Sequence, residues 1–503
     1  MIQLQGPFTL YNTLNRIKEP FKPLHEGHVG LYVCGPTVYG SPHLGHARSA
    51  IVFDLLNRVL RSQGHKVRYV RNITDVGHLE NEDTETGEDK IVKQAILEKR
   101  LPMEVAQAYT RDYHKMTGLL GCMPPNIEPV ASGHTSEQIT MIDSIIRQGY
   151  AYITNGSVYF DVQKYASEHN YGSLSRMKIE GMQNNSRTGL VRQDEKKSSL
   201  DFALWKKADS SNQMQWDSPW GKGFPGWHIE CTAMSHKYLG KHFDIHGGGL
   251  DLQFPHHEAE IAQSMAALNN QPAAYWVHHN LLTIDGQKMS KSKKNFITIN
   301  EFFSGKNELF ARPFSPMLLR FFFLRTHYRN VVEITKEALL SSEKGLERLL
   351  RLLYTTKQVH RGIEPESYKL EETTAGAYLQ QAMNHLLDDM DTPKAIANLY
   401  QSGEELAHGT PSKLSSYSSG VFAYIIEEIL GLAVQSPTET TKSINLDGAL
   451  NKLLALREAA RSKKNYVLSD SLRDIAIELG FSIEDQPNAG PRVVQKQVSF
   501  EHD

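Results

Sequence analysis

Between residues 28 and 73 the apolar positions change period twice. "HVGLYVCG" (28–35) is a nearly continuous apolar run and reads as a buried strand. After a Gly/Pro turn, Ile51, Leu55 and Val59 make one stripe with Val52, Leu56 and Leu60 beside it. That is helical spacing, and Gly64 is a suitable stop. "KVRYVRNI" (66–73) then alternates as a second strand. Strand, helix and strand in so short a span predict a βαβ unit and a parallel sheet. Ligands of such sheets bind at the carboxyl ends of the strands, where the loop holding Cys34 falls.

Further along, "VGHLENEDTETGEDK" (76–90) is acidic and polar and reads as a surface loop. Helical patterns resume to about residue 118, and "MPPNIEP" breaks them. "GSVYFDV" (156–162) is strand-like, and residues 180–200 are polar, as expected of a junction. "KHFDIHGGGLDLQFPHHEAEIAQSMAAL" (241–268) again gives strand, glycine loop and helix. "YWVHHNLLTIDGQKMSKSKKN" (275–295) gives a strand, a turn and a basic loop. Long helical patterns run from about 315 to 435, followed by a polar linker, "VQSPTETTKSINLDG" (434–448), and a small terminal module. No internal repeat is present.

Composition narrows the class. A chain of 503 residues is too long for one ordinary core. Three cysteines make no disulfide framework, which leaves metal binding or burial. A formal net charge of −2 gives no global pull toward nucleic acid. A polyanion would have to meet local patches such as "KMSKSKKN" (288–295) and "REAARSKKNY" (457–466). The start lacks the pattern of a signal peptide, and no apolar run reaches the ~20 residues of a spanning helix. A cytoplasmic protein with no membrane contact is expected.

Three short stretches carry chemistry. "GWHIECTAMS" (226–235) and "FPHHEAEIA" (254–262) together with Cys34 offer sulfur, nitrogen and oxygen donors of the kind zinc takes. His256 and Glu260 stand four apart on a helix, but His257 serves almost as well by spacing, and the same pattern describes a solvated face. "HLGH" (43–46) opens a helix, where unpaired N–H groups favour phosphate, and Gly45 would let a flat base approach the backbone. "KMSKS" (288–292) puts two lysines on a loop, point charges suited to a departing pyrophosphate.

Taken in order, "YVCGPTVYG…HLGHARS", "RNITD", "DFALWK", "PGWHIECTAMS", "DIHGGGLDLQFPHHEAEIAQS" and "GQKMSKS" resemble the cysteinyl-tRNA synthetases of class I, from about residue 8 to 485. The resemblance implies an α/β, Rossmann-like parallel-sheet catalytic domain over 1–314. It would carry a connective insertion at about 120–225. A helical bundle (315–435) and a linker with a small anticodon-binding module (436–503) would follow. It implies Cys34, Cys231, His256 and Glu260 as ligands of one zinc ion, thereby choosing His256 over His257. His43, His46, Lys288 and Lys291 would serve the phosphates of ATP, taken with Mg2+. Gly45, Gly247, Gly248, Gly249, Asp251 and Lys291 would bind the nucleotide. Gly35, Thr37, Thr74, Trp227 and His228 would line the cysteine pocket.

The expected function is a monomeric ATP-dependent ligase joining L-cysteine to tRNA(Cys) through cysteinyl-adenylate. Zinc would select the substrate thiolate, which fits the lack of an insertion large enough for editing. The alternatives are a cysteine ligase acting on an aminosugar and a silent zinc-stabilised RNA-binding homologue. The insertion 76–90, the tail "NAGPRV" (488–493) and Cys122 depart from the family pattern or match none of it.

Overall fold

The computed structural model describes residues 3–77, 79–81, 86–179, 195–209, 214–289, 295–307, 309–365, 370–432, 456–457, 460–462, 465–478, 481–486 and 489–495. It divides into two compact units, Met1–Ala433 and Val434–Asp503. Position 314/315 lies inside the first unit. The boundary expected at 435/436 falls beside the division, and the linker 434–448 lies outside the described residues.

The first unit opens with a hairpin of β1 (Thr9–Asn12) and β2 (Ile17–Pro20). The βαβ unit follows as β3 (His28–Val33), α1 (Leu44–Ser62) and β4 (Lys66–Arg71). The acidic insertion holds a short hairpin, β5 (Leu79–Asn81) with β6 (Thr86–Asp89), where the sequence suggested only a loop. Its acidic residues have low strand propensity, so pairing between the two arms leaves no periodic mark. The hairpin runs into α2 (Lys90–Glu98), whose first N–H groups are capped by Asp89, and α3 (Pro102–Leu119) comes next.

The connective segment supplies α4 (Thr135–Arg147), β7 (Ala151–Thr154), β8 (Ser157–Phe160), α5 (Val162–Glu168), β9 (Phe202–Lys207) and β10 (Gly223–Pro225). The chain then re-enters the main sheet through α6 (Trp227–Leu239), β11 (Phe243–Gly249), α7 (Glu258–Leu268) and β12 (Ala273–His279). A small sheet of β13 (Leu282–Ile284), β14 (Gln287–Lys288) and β15 (Val332–Ile334) flanks α8 (Ile299–Ser304) and α9 (Pro316–Leu324). The bundle helices are α10 (Lys336–Val359), α11 (Thr374–Leu387), α12 (Thr392–His408) and α13 (Lys413–Tyr424). In the second unit α14 (Tyr466–Glu478) precedes the hairpin β16 (Phe481–Gln486) and β17 (Ala489–Gln495), which contains "NAGPRV" apart from residue 488.

The main sheet is wholly parallel in the order β12–β11–β3–β4. Its carboxyl edge therefore presents Cys34, Asn72, Gly249 and His279 within one rim. The connective strands form a separate antiparallel sheet, β10–β9–β8–β7. Helices α6 and α7 lie between the two sheets. On one side Ile229, Ala233, Ala259 and Ala262 pack with Phe160, Phe202 and Trp205. On the other, Met234 and Ile261 pack with Tyr32, Phe243 and Trp276. A helix covered on both faces cannot be amphipathic, and so Cys231 and Glu260, although polar, are buried with it.

Helix α1 is tied to the bundle side by a buried ion pair. Asp54 on α1 holds the guanidinium of Arg320 on α9 at 2.5 Å, and Arg320 also donates to the carbonyls of Leu120 and Leu430. Cys122 lies beside that guanidinium, with its thiol pushed up to about 12, chiefly by burial. A thiol so protonated is inert.

Candidate active site

Residue 34 leaves the sheet at the end of β3, and residue 231 faces it from the second turn of α6. Their sulfurs stand 3.7 Å apart. Glu260 brings Oε1 to 3.6 Å from the Cys34 sulfur and 3.2 Å from His256 Nε2. One donor atom from each of Cys34, Cys231, His256 and Glu260 lies within 4.8 Å of every other. His256 sits in the turn just before α7 and still keeps the i,i+4 relation to Glu260.

A second set, Cys34, His246, His257 and Glu260, meets the same distance. Spacing alone left His256 and His257 open, and both rings do reach the cluster. They differ in their other commitments. His257 turns Nδ1 to His278 at 2.8 Å, and His246 turns Nε2 to Glu260 at 2.9 Å. Only the first set contains both sulfurs.

The donor set suits a soft or borderline divalent metal. Burial, the Cys231 sulfur and Glu260 push the Cys34 thiol well above its usual range. A bound dication would stabilise both thiolates. Burial and the neighbouring His246 and His278 hold His257 well below the ordinary histidine range. It is therefore a neutral imidazole.

Next to this cluster come residues that the resemblance implies for a cysteine pocket. Trp227 places its ring 4.3 Å from that of His256, and His228 Nδ1 lies 2.9 Å from His256 Nδ1. Asn72 accepts from the Gly35 N–H at 2.9 Å and donates to Thr74 Oγ1 at 3.1 Å. A side chain at Gly35 would collide with the Asn72 carbonyl, its Cβ 1.5 Å from that oxygen. Thr74 in turn donates to Glu230 at 3.1 Å. Glu230 is fully buried and raised well above the usual carboxylate range by that burial and by Asp75.

The HLGH stretch behaves differently. His43 is the N-cap of α1, its Nδ1 accepting from Gly45 N at 3.1 Å. His46 Nδ1 accepts from His43 N at 3.3 Å, and the two rings stack at 3.7 Å. With Nδ1 an acceptor in each, the neutral rings carry their proton on Nε2, as donors. Burial lowers His46 to about 4. A cavity of about 410 Å3 lies over these rings, and Thr37, Tyr39, Gln94, Tyr109, Phe296 and Thr298 help to line it. Backbone pairing of His43 with Thr298 brings the chain leaving the KMSKS loop onto HLGH. Lys288 ends β14, whereas Lys291 lies outside the described residues.

Gly247, Gly248 and Gly249 end β11, and Asp251 is exposed in the turn beyond. A Cβ on Gly248 would press on the His257 ring at 2.7 Å. The triplet thus also lets the sheet approach the histidines closely.

Residues 20–344 match the model of the class I (C) tRNA synthetase catalytic domain. A cysteine–tRNA ligase of Porphyromonas gingivalis is 48% identical over 491 residues, covering 96% of this chain and 98% of the relative. The chain belongs to the cysteine–tRNA ligase family. Other members similar to it come from Cytophaga hutchinsonii, at 46% identity over 95% of this chain, and Chlorobium chlorochromatii, at 43% over 95%. Their lengths are covered to 96% and 97%. Among solved structures, a Mycobacterium tuberculosis methionyl-tRNA synthetase in complex with methionyl-adenylate superposes with TM-score 0.56 at 14% identity. It covers 80% of this chain and 92% of its own, and that likeness concerns the fold alone. Membership extends across the helical part, which the aminosugar reading does not require.

Sequence reasoning missed Asn72, His246, His278, Gln94 and Tyr109. Asn72 stood inside the quoted "RNITD", so its motif was visible but not its bonds. His246 and His278 sit on buried strands, where a lone histidine gives no periodic signal. Among the described residues no helix is long and apolar enough to cross a membrane.

Proposed function

We propose that this chain activates L-cysteine with ATP and transfers it to tRNA(Cys), with one zinc ion held by Cys34, Cys231, His256 and Glu260. The observation that carries the reading is the convergence of those four donors at the rim of the parallel sheet that also bears HLGH. When bound, zinc would supply a soft Lewis acid that holds the substrate sulfur as thiolate, a role serine's harder and less acidic hydroxyl fills poorly. A site built on one such contact rejects analogues lacking it by about 10⁴–10⁵ without editing.

The chain's own residues do the rest. Trp227 and His228 wall the side-chain end, while Asn72 fixes the Gly35 N–H and the Thr74 hydroxyl beside the substrate backbone. Thr37 lies between this pocket and the HLGH cavity. The cysteine carboxylate oxygen attacks the α-phosphorus of ATP, taken with Mg2+, and pyrophosphate leaves. His43 and His46 would donate Nε2–H to the phosphate oxygens at the N-terminal end of α1. Lys288 and Lys291 would close on the departing pyrophosphate. Gly45 and Gly247–Gly249 give the adenosine close access, and Asp251 would accept from a ribose hydroxyl. In the second step a terminal ribose hydroxyl of the tRNA attacks the adenylate carbonyl and AMP departs.

Two sulfurs 3.7 Å apart and kept as ligands suit a reducing compartment, which supports a cytoplasmic enzyme. The test is ATP–pyrophosphate exchange with each amino acid separately, before and after zinc removal. Exchange with cysteine alone, lost with the metal and restored by it, is expected. Absence of exchange with cysteine from folded, zinc-loaded protein would sink the proposal.

A further inference from the structure

Arg48 stands on α1 just beyond the HLGH stretch and is 2% exposed. Burial lowers it only to about 10, so it is a cation at neutral pH. Among the described residues its hydrogen bonds go to carbonyls alone. Nη1 donates to Leu281 O at 2.5 Å, and Nη2 donates to Tyr328 O at 3.0 Å and to Asn330 O at 2.5 Å. A buried charge without a counter-charge costs stability. Nor do the carbonyls all need it, since Leu281 O already accepts from Val332 N at 3.2 Å and Tyr328 O from Asn280 N at 2.9 Å. What the guanidinium adds is geometry: one planar fork fastens two separate stretches of chain to one helix.

Those stretches lead into β13 and β15. Leu281 and Asn330 lie just ahead of the register pair Leu282↔Val332, where the two strands meet in parallel. On its other edge β13 pairs with β14, which sets Lys288 opposite Thr283. One guanidinium and one small sheet therefore connect α1 to the backbone of Lys288. The chain also returns to the same helix. His43 pairs with Thr298, and Ile299 N donates to Pro42 O at 2.9 Å. The segment that carries KMSKS is thus fastened to the start of α1 both before and after it. Arg48 itself does not line the cavity over HLGH.

We infer that Arg48 is a positioning residue for the adenylation step, holding the β13–β15 pair, and with it the backbone of Lys288, at a fixed place relative to His43 and His46. Those three residues serve the phosphates of ATP, so that this role rests on the ligase reading above. Groups that act together on one transition state lose about 10²-fold when their spacing slips by ~1 Å. Pyrophosphate has left before the second step, in which a ribose hydroxyl attacks the adenylate carbonyl. The spacing of Lys288 from the histidines therefore bears on the first step and not on the second. A residue needed only for the fold would weaken the two steps alike.

Arg48→Lys keeps the charge without the fork, and Arg48→Met keeps only an apolar stem. Each is compared with wild type in two single-turnover measurements. One follows formation of cysteinyl-adenylate from ATP and cysteine, and the other follows transfer from preformed adenylate to tRNA. Both variants are expected to lose about 10- to 100-fold in the maximal rate of adenylate formation, the methionine variant more, with KM for cysteine unchanged. Transfer should stay within about twofold of wild type, as for a site uncoupled from that step. In a Lys288→Ala background, Arg48→Lys should cost less than it does in wild type, because the two residues act through one contact. Zinc content and melting temperature report the fold, and the lysine variant decides if the methionine variant is unstable. Equal losses in formation and transfer would overturn the inference, as would unchanged formation in both variants. An equal cost of Arg48→Lys with and without Lys288 would overturn it too. Wild-type protein that forms no adenylate would instead remove the ligase reading beneath it.

Discussion

Histidines serve the two ends of this site in opposite ways. At the sulfur cluster, His256 and His257 lie 1% and 0% exposed and turn nitrogens inward toward Cys34 and Glu260. At HLGH, His43 and His46 spend Nδ1 on the first backbone amides of α1, which leaves Nε2–H as the donor. The residue type is the same, and the role follows from what the first nitrogen is bonded to. One end is an acceptor cage that calls for a cation, and the other is a donor pair that calls for an anion.

Breaking the cage should have the largest effect. Cys231→Ala removes one of two sulfurs and leaves the HLGH end untouched. Cysteine-dependent exchange is expected to fall by about 10³ or more, with zinc content and the preference for cysteine over serine lost together. Metal analysis alongside kcat/KM for both amino acids tests this. Stoichiometric zinc with intact preference would show that the cage is not the selector.

The donor pair can be split into its two parts. His43→Asn keeps a good N-cap and deletes the Nε2 donor, whereas His43→Ala deletes both. Both should slow activation by about 10²–10³ at unchanged zinc content. Only the alanine variant should also lose about 1 kcal/mol of stability, read as a lower melting temperature. An active asparagine variant would reduce the ring to a cap.

The same contrast explains what the sequence disclosed. The HLGH end is local: strand, turn and helix are consecutive, so the apolar periods around Leu31, Ile51 and Val70 announce it. The cage draws on β3, α6 and the start of α7, and Cys34 to Glu260 is a separation that no local pattern spans. Its ligands were chosen by resemblance, while spacing left His256 and His257 level. Helices α6 and α7, buried on both faces, offered no amphipathic stripe to orient them. The acidic insertion hid its hairpin for the related reason that strand pairing is not written in polar composition.

Asn72 sharpens the boundary between the ends, since it ties Gly35 to Thr74 without belonging to either histidine set. Asn72→Ala leaves the Gly35 N–H unpaired. The expected result is a rise of roughly tenfold in KM for cysteine, with KM for ATP unchanged, the size of one lost buried hydrogen bond. Amino-acid and ATP saturation curves measured separately decide it. Equal changes in both would mean that Asn72 supports the whole rim.

The smallest effect concerns protons. Burial holds His46 near 4, and burial with Arg48 holds His279 near 4. In the unfolded chain both rings titrate near the ordinary value of about 6.5. Below that value the unfolded state takes up protons that the fold refuses. Their contribution to stability is therefore full above pH ~6.5 and is lost as pH falls toward about 4. At His46 the cause is chemical as well as electrostatic: a proton on Nδ1 would abolish its bond from the His43 N–H. His46→Gln can keep the reciprocal cap with a neutral amide. The slope of unfolding free energy between pH 6.5 and 4.5 should then flatten by close to one proton relative to wild type. An unchanged slope would mean that the second ring of HLGH titrates freely, and that its donor role is not enforced by the cap.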